Sequence, residues 1–455
     1  MKQMLNFKPG FYMRSYLNAG AFLALIFVLI LVVVPAKAAV EIQDVTSEKG
    51  IKAWLVEDHS LPIVTFQFSF KSGSAQDPEG KEGIANLMTG LFDEGAGDLD
   101  SDAFQTKMEE LGAEMSFRTN SDEISGQVRM LAENSDEVLE LVRLAVTAPR
   151  FDTGPVERIR GQIAVGIRSD ERDPRKQGYL KLSEALYGDH PYAHPDEGTL
   201  ESLAAISPED LKAFHARVFA RSNLTIGVVG DIDAERLASV LDEVFGELPA
   251  EAGLEPVESI EPNLGQELRV DYPLPQATLQ LVYPGVERDD PAFFSAYLLN
   301  QILGGGVFSS RLFEEVREKR GLAYGASSYL HSRDHAQTLA IQTATRAEQA
   351  GETLSVIQDV IAGLRDEGPT QKELDTAKTY VIGSYAINNL DSSTAIARTL
   401  VGLQQDDLGI DYIERRADLI NAVTLDDVKD AAKRLLSQKP ALLVIGPAEQ
   451  AQNGG

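Results

Sequence analysis

From residue 40 onward the chain alternates between two hydrophobic periodicities. Residues 51–56 and 63–70 place apolar side chains at every second position, predicting two strands joined through 57–62. Residues 83–92 switch to the helical period, with Ile84, Leu87, Met88 and Leu91 on one face. Ser101 opens a second helix carrying Phe104, Met108 and Leu111, and Gly112 ends it. Strands are expected at 113–119 and 124–131, followed by helices over 136–147, 155–170 and 177–187. Ser207 followed by Pro208 marks another helix start. The strand 224–230 and a helix to about Phe245 close this half.

Residues 248–264 are rich in Pro, Glu, Ala and Gly and lose periodicity. They predict a linker, 248–266, between a first domain at 40–247 and a second at 267–450. Beyond it the pattern recurs. Residues 206–211 match 423–428 at an offset of 217, and the strand ending at Gly230 matches 441–446 at an offset of 216. A domain-sized period indicates a duplication rather than a solenoid. Strands grouped in hairpins beside runs of helices argue for the α+β class and against a doubly wound parallel sheet.

The first 38 residues follow a different pattern. Lys2, Lys8 and Arg14 precede an uncharged apolar run at 19–34, and Ala36-Lys37-Ala38 has the form of a small-residue cleavage site. This predicts a secretory signal peptide at 1–38 and a periplasmic product. The alternative is an uncleaved membrane anchor, because 15–36 carries no charge and is long enough to span a bilayer. The formal net charge is −28, and loss of the four basic residues before 38 takes it to −32. Such acidity argues against nucleic acid and anionic membrane surfaces and favours basic peptides as ligands. It serves equally to keep an exported protein soluble. Cysteine is absent, which excludes disulfides, thiolate metal sites and a cysteine nucleophile.

Candidate chemistry is concentrated at 303–324. Gly304, Gly305 and Gly306 allow backbone conformations closed to other residues, and Ser309 or Ser310 can cap a helix bearing Leu312, Phe313 and Val316. Arg317 projects from the edge of that apolar face, Gly321 stops the helix, and 322–324 begins a strand. Arg317 and Tyr324 both donate hydrogen bonds, and together could hold a peptide carbonyl or the oxyanion it becomes. Two other readings stay open: Arg317 paired with Glu314, and Tyr324 as a core aromatic with a wet hydroxyl. Elsewhere the signals are bland. His190 and His194 flank prolines in a turn, His331 and His335 fall near a hairpin, and no phosphate loop or nucleophile elbow is present.

The run Gly304-Gly305-Gly306, Ser310-Arg311-Leu312 and 315–324 resembles the second-half signature of the pitrilysin/insulinase peptidases. These are the inverted-motif zinc peptidases, and the resemblance is to their mitochondrial-processing-peptidase-like group. It spans both halves, roughly 40–447. In that family the first half carries His-x-x-Glu-His on a helix: two zinc ligands and the general base, with a further Glu downstream as third ligand. Here the flanking residues match at 50–59, 71–74 and 82–85, but Asn86 stands for the first His, Thr89 for the base and Gly90 for the second His. The family's interval to the third ligand, 76 residues beyond Gly90, reaches Gly166. All four positions lack their chemistry, so the resemblance implies no metal in this chain. It implies two homologous domains of the LuxS/processing-peptidase type, each an antiparallel-rich sheet packed with helices. It further implies a zinc-less subunit of an exported heteromeric metalloendopeptidase. A homologous partner would bring His-x-x-Glu-His and zinc, while Arg317 and Tyr324 would bind unfolded peptide substrate. The alternative is a noncatalytic scaffold or binding protein of the same fold.

Overall fold

The computed structural model describes residues 41–306 and 308–448. The predicted signal peptide lies outside them. The first half contains β1 (Gln43–Thr46), β2 (Lys52–Glu57), β3 (Ile63–Phe70), α1 (Ile84–Thr89) and the two-residue ribbon β4 (Gly95–Ala96) and β5 (Leu99–Asp100). It continues with α2 (Ser101–Glu110), β6 (Glu114–Thr119), β7 (Ile124–Leu131), α3 (Ser135–Thr147), α4 (Thr153–Asp170) and α5 (Pro174–Tyr187). It closes with α6 (Leu200–Ala205), α7 (Pro208–Val218), β8 (Leu224–Gly230) and α8 (Ala234–Phe245).

Six of these strands form one sheet in the order β1-β2-β8-β3-β7-β6, with only the β2–β8 pair parallel. Val64, Phe66, Phe68 and Phe70 of β3 turn into a core shared with the surrounding helices. Phe68 meets Phe70, Phe117 and Phe245 edge-on, an arrangement that aromatic quadrupoles favour.

The second half contains β9 (Glu267–Asp271), β10 (Gln276–Pro284), α9 (Phe293–Asn300), β11 (Ala323–Ser332), β12 (Gln337–Arg346), α10 (Ala350–Asp366), α11 (Gln371–Asn389), α12 (Ser393–Gln405), α13 (Tyr412–Ala422), α14 (Leu425–Leu436) and β13 (Ala441–Gly446). Its sheet runs β11-β12-β10-β13-β9, again with one parallel pair, β13–β9. Fold class and two-part architecture thus agree with the α+β expectation.

The repeat read from the sequence has a structural counterpart. Ser207 and Asp210 form a reciprocal capping box at the start of α7, and Thr424 and Asp427 form another at the start of α14. The strands that follow, β8 and β13, hold matching places, each in the one parallel pair of its sheet.

The two halves exchange a helix. α12 of the second half lies on the first sheet against β8 and β3, and α5 of the first half lies on β13 and β9 of the second. The 217-residue offset carries 174–187 onto 391–404, so α5 and α12 are the same element of the repeat. Glycines permit both close approaches. A Cβ at Gly227 of β8 would lie 2.6 Å from the Ala397 carbonyl oxygen, and one at Gly178 of α5 would lie 2.5 Å from Ile445 Cδ1. Leu182, Leu186 and Tyr187 of α5 bury with Val282, Leu443 and Ile445 in a core that belongs to both halves.

Some boundaries differ from the sequence reading. The helix expected over 83–92 is the short α1, because Gly83 begins it at φ +94° and Gly90 ends it. β1 and α6 were not legible: four and six residues are too few for a period to show. Residues 249–266 contain no helix or strand, yet they are strapped down. Gln76 donates to the Glu255 carbonyl at 2.8 Å, and Ile260 N–H donates to the His335 carbonyl at 2.8 Å.

One buried titratable group gives the fold a pH dependence. The His215 ring stacks on Phe219 beside Phe92 and Phe151, and Nε2 reaches the Val146 carbonyl at 3.0 Å. Burial outweighs this hydrogen bond and pushes its pKa down to about 4. The folded state therefore binds its proton at lower pH than the unfolded chain. The associated stability is full above the unfolded value of 6.5 and is lost as pH falls from there to about 4. Unfolding free energy should drop by on the order of 3 kcal/mol through this one residue across that window. Denaturant titrations at pH 7, 5 and 4 check this, and His215→Gln should flatten the slope while lowering stability at pH 7.

Candidate functional site

α9 runs directly into a π-helical turn at Gln301–Gly305. The glycines there serve contact rather than an unusual backbone, since none of 304–306 has positive φ. A Cβ at Gly304 would lie 2.5 Å from the Ser328 backbone nitrogen, so glycine lets the turn rest against β11. The expectation of a special glycine conformation is corrected in this respect.

The next helical turn starts at Arg311 and is π-wound over Phe313–Glu318. The Ser310 hydroxyl accepts from Phe313 N–H at 3.4 Å, so of the two serines it is Ser310 that caps. Arg311 anchors the start with a bidentate pair to Glu373 of α11, at 2.7 and 3.0 Å. Burial pushes the Glu373 carboxyl up, but the bonds from Arg311 and Thr370 prevail and hold it at about 2. Leu312 and Val316 fill the core below, and Gly321 ends the turn at φ +60°.

This frame places Arg317 between two rings. Its guanidinium lies 4.8 Å from the centre of Phe313 and 4.7 Å from the centre of Tyr324. Its Nε is 3.7 Å from Glu318, while Glu314 pairs with Lys319 at 2.9 Å. The alternative pairing of Arg317 with Glu314 is thereby excluded. Tyr324 is 87% exposed, so it is not a core residue either. It sits where the β11–β12 register slips between Ala323 and Ala326, a bulge on an edge strand that turns the side chain outward. Phe308, 78% exposed, meets Phe313 edge-on and extends the stack. Sequence reasoning passed over Phe308; a large apolar residue just after a glycine run was the available signal.

The positions at which the family resemblance expects a metal site lie in the first half, on α1 and α4. α1 is held at its start by Asp77, whose carboxylate accepts from Gly83 N–H at 2.7 Å and Ala85 N–H at 3.2 Å. The Thr89 hydroxyl is spent on the Asn86 carbonyl at 2.8 Å. Gly90 offers no donor, and a Cβ there would lie 2.9 Å from Ile159 Cγ2 of α4. Gly166, on the same helix, has open space around it and no side chain. This donor set does not fit zinc: one amide, one engaged hydroxyl and two glycines provide no imidazole or carboxylate. Among the described residues no group of three His, Cys, Asp or Glu is placed to share a metal ion. Both ring nitrogens of His190 are engaged, one with the Glu258 carbonyl at 2.9 Å and one with Tyr192 N–H at 3.1 Å.

Residues 52–199 match the model of the insulinase family, peptidase family M16, and residues 205–381 match that of the peptidase M16 inactive domain. A crystal structure of a peptidase M16 inactive domain from Pseudomonas fluorescens superposes with a TM-score of 0.83 at 33% identity. It covers 90% of this chain and 98% of its own. An uncharacterised zinc protease of Bacillus subtilis is 26% identical over 90% of this chain and 98% of its own length. A Helicobacter pylori protein named as a non-peptidase homologue is 22% identical over 83% of this chain and 87% of its own length. With both halves matched in order and a relative 33% identical over 90% of the chain, this chain belongs to peptidase family M16, the insulinase family.

Proposed function

We propose that this chain is the zinc-less, substrate-holding subunit of an exported, heteromeric metalloendopeptidase. The observation that supports the reading most is the presentation of Arg317 and Tyr324. The two donors share one surface, aligned by stacking, while the positions at which the resemblance expects metal ligands carry Asn86, Thr89, Gly90 and Gly166. A homologous partner carrying His-x-x-Glu-His would supply metal and base. This chain would orient an unfolded peptide and donate from the Arg317 guanidinium and Tyr324 hydroxyl to the oxygen that gains charge. Export to the periplasm follows the N-terminal pattern at 1–38. The second reading, a noncatalytic binding protein, draws support from the Helicobacter pylori relative's name.

Mixing the mature chain with a zinc-bearing homologue separates the two. Alone, this chain should hold no stoichiometric zinc after dialysis and cleave no peptide; the mixture should assemble and cleave faster than the partner alone. One zinc per chain with cleavage by the chain alone would overturn the proposal. An assembled mixture no faster than the partner alone would establish the scaffold reading.

A further inference from the structure

The outer face of the first sheet, where α12 crosses it, is polar in a way the core cannot explain. Ser116 and Arg118 share one face of β6. In register they oppose Gln127 and Ser125 of β7, and Gln127 in turn opposes Gln67 of β3. α12 contributes Arg398 from the other side, and together these side chains line a cleft of about 260 Å³. None of the six has a side-chain hydrogen bond or ion pair among the described residues. Gln67 is only 8% exposed as a residue, and its amide opens onto the cleft with no partner in the fold, leaving a donor and an acceptor for whatever enters.

The charges point the same way. Two guanidiniums line this small space and neither pairs with a carboxylate, in a chain whose net charge is −28. The one carboxylate lining the cleft, Glu123, is already engaged by the Ser69 hydroxyl and by Gln405 Nε2 at 2.6 Å. Bringing two like charges together is unfavourable unless an anion offsets both, and guanidinium forks match oxyanion geometry. We propose that this cleft binds a compact, doubly charged oxyanion, of the inorganic phosphate or small dicarboxylate type, clasped between the two halves. β6, β7 and β3 form one wall and α12 the other, so such a ligand would tie the halves together. Because the rest of the surface repels anions, capture must be local and weaken with salt.

The test is calorimetric titration of the mature chain in chloride buffer, with inorganic phosphate and with succinate in separate runs. Binding of either supports the site, and the tighter of the two identifies the source. Arg118→Gln or Arg398→Gln should weaken that binding by roughly tenfold or more. Neither side chain makes a bond in the fold, and each substitution relieves repulsion between like charges, so melting without ligand should not fall. Glu123→Gln, which removes the negative charge at the wall, should tighten binding. The ligand should also raise the melting temperature of the wild type and not that of the Arg398 variant. No binding of either anion at millimolar concentration, or binding indifferent to both arginine substitutions, would overturn the proposal.

Discussion

In the proposed complex with a zinc-bearing homologue, Arg317→Ala should lower turnover by about a hundredfold while leaving assembly and melting temperature in place. A donor aimed at developing charge contributes more in the transition state than in the bound substrate, so kcat should fall further than KM rises. The structural cost should be small. The guanidinium stacks on Phe313 and on an exposed Tyr324, and cation–π contacts at such sites contribute about 0.5–1 kcal/mol. Tyr324→Phe is the sharper probe, because it keeps the ring that aligns Arg317 and removes only the hydroxyl. If both variants assemble and cleave at the wild-type rate, the pair is structural and the shared-site mechanism is wrong.

Gly227→Val should destabilise the whole chain by about 3 kcal/mol or more. Valine suits a strand, so the substitution would ordinarily favour β8. Here the new Cβ meets the Ala397 carbonyl oxygen at 2.6 Å and Leu400 Cβ at 2.9 Å, atoms fixed to the α12 backbone. Relief requires the helix to lift from the sheet. Lifting it would also strain the bond from Gln404 Nε2 to the Ile226 carbonyl, 2.9 Å in the native packing. Gly178→Ala should cost less, since the atom in its way, Ile445 Cδ1, is the end of a flexible side chain. Thermal melts and limited proteolysis check the order. A Gly227→Val protein that melts with the wild type would mean that α12 does not bear on β8 as described.

Where a periodic run was long, the sequence was a faithful guide. The strand at 124–131 and the helix ending at Phe245 stand as read, because each buries one continuous face. The frame of the Arg317 turn was legible too, with a serine cap, an apolar face and a glycine stop, since each is a local rule. Its π winding was not: residues four apart share a face in either winding, so the spacing of Phe313 and Arg317 cannot distinguish them. The stack on Tyr324 needed the bulge in β11, which depends on pairing with β12 and has no signature inside its own strand. The period at 177–187 announced an amphipathic helix without saying whose sheet it covers. Destination is a tertiary property, invisible to a window of a dozen residues.

That destination bears on how the two halves can come to differ. Each half lends its α5-type helix to the other's sheet, so the molecule has the internal logic of two identical chains joined head to tail. In a symmetric pair of separate chains every substitution is made twice, and losing a ligand at one position loses it in both copies. Once the copies are tethered in one gene, each can drift alone. In this chain the first half has Gly90 packed beside Ile159 where the resemblance expects a ligand, while the second carries the turn that presents Arg317. The tether turns a symmetric assembly into one whose two ends can specialise.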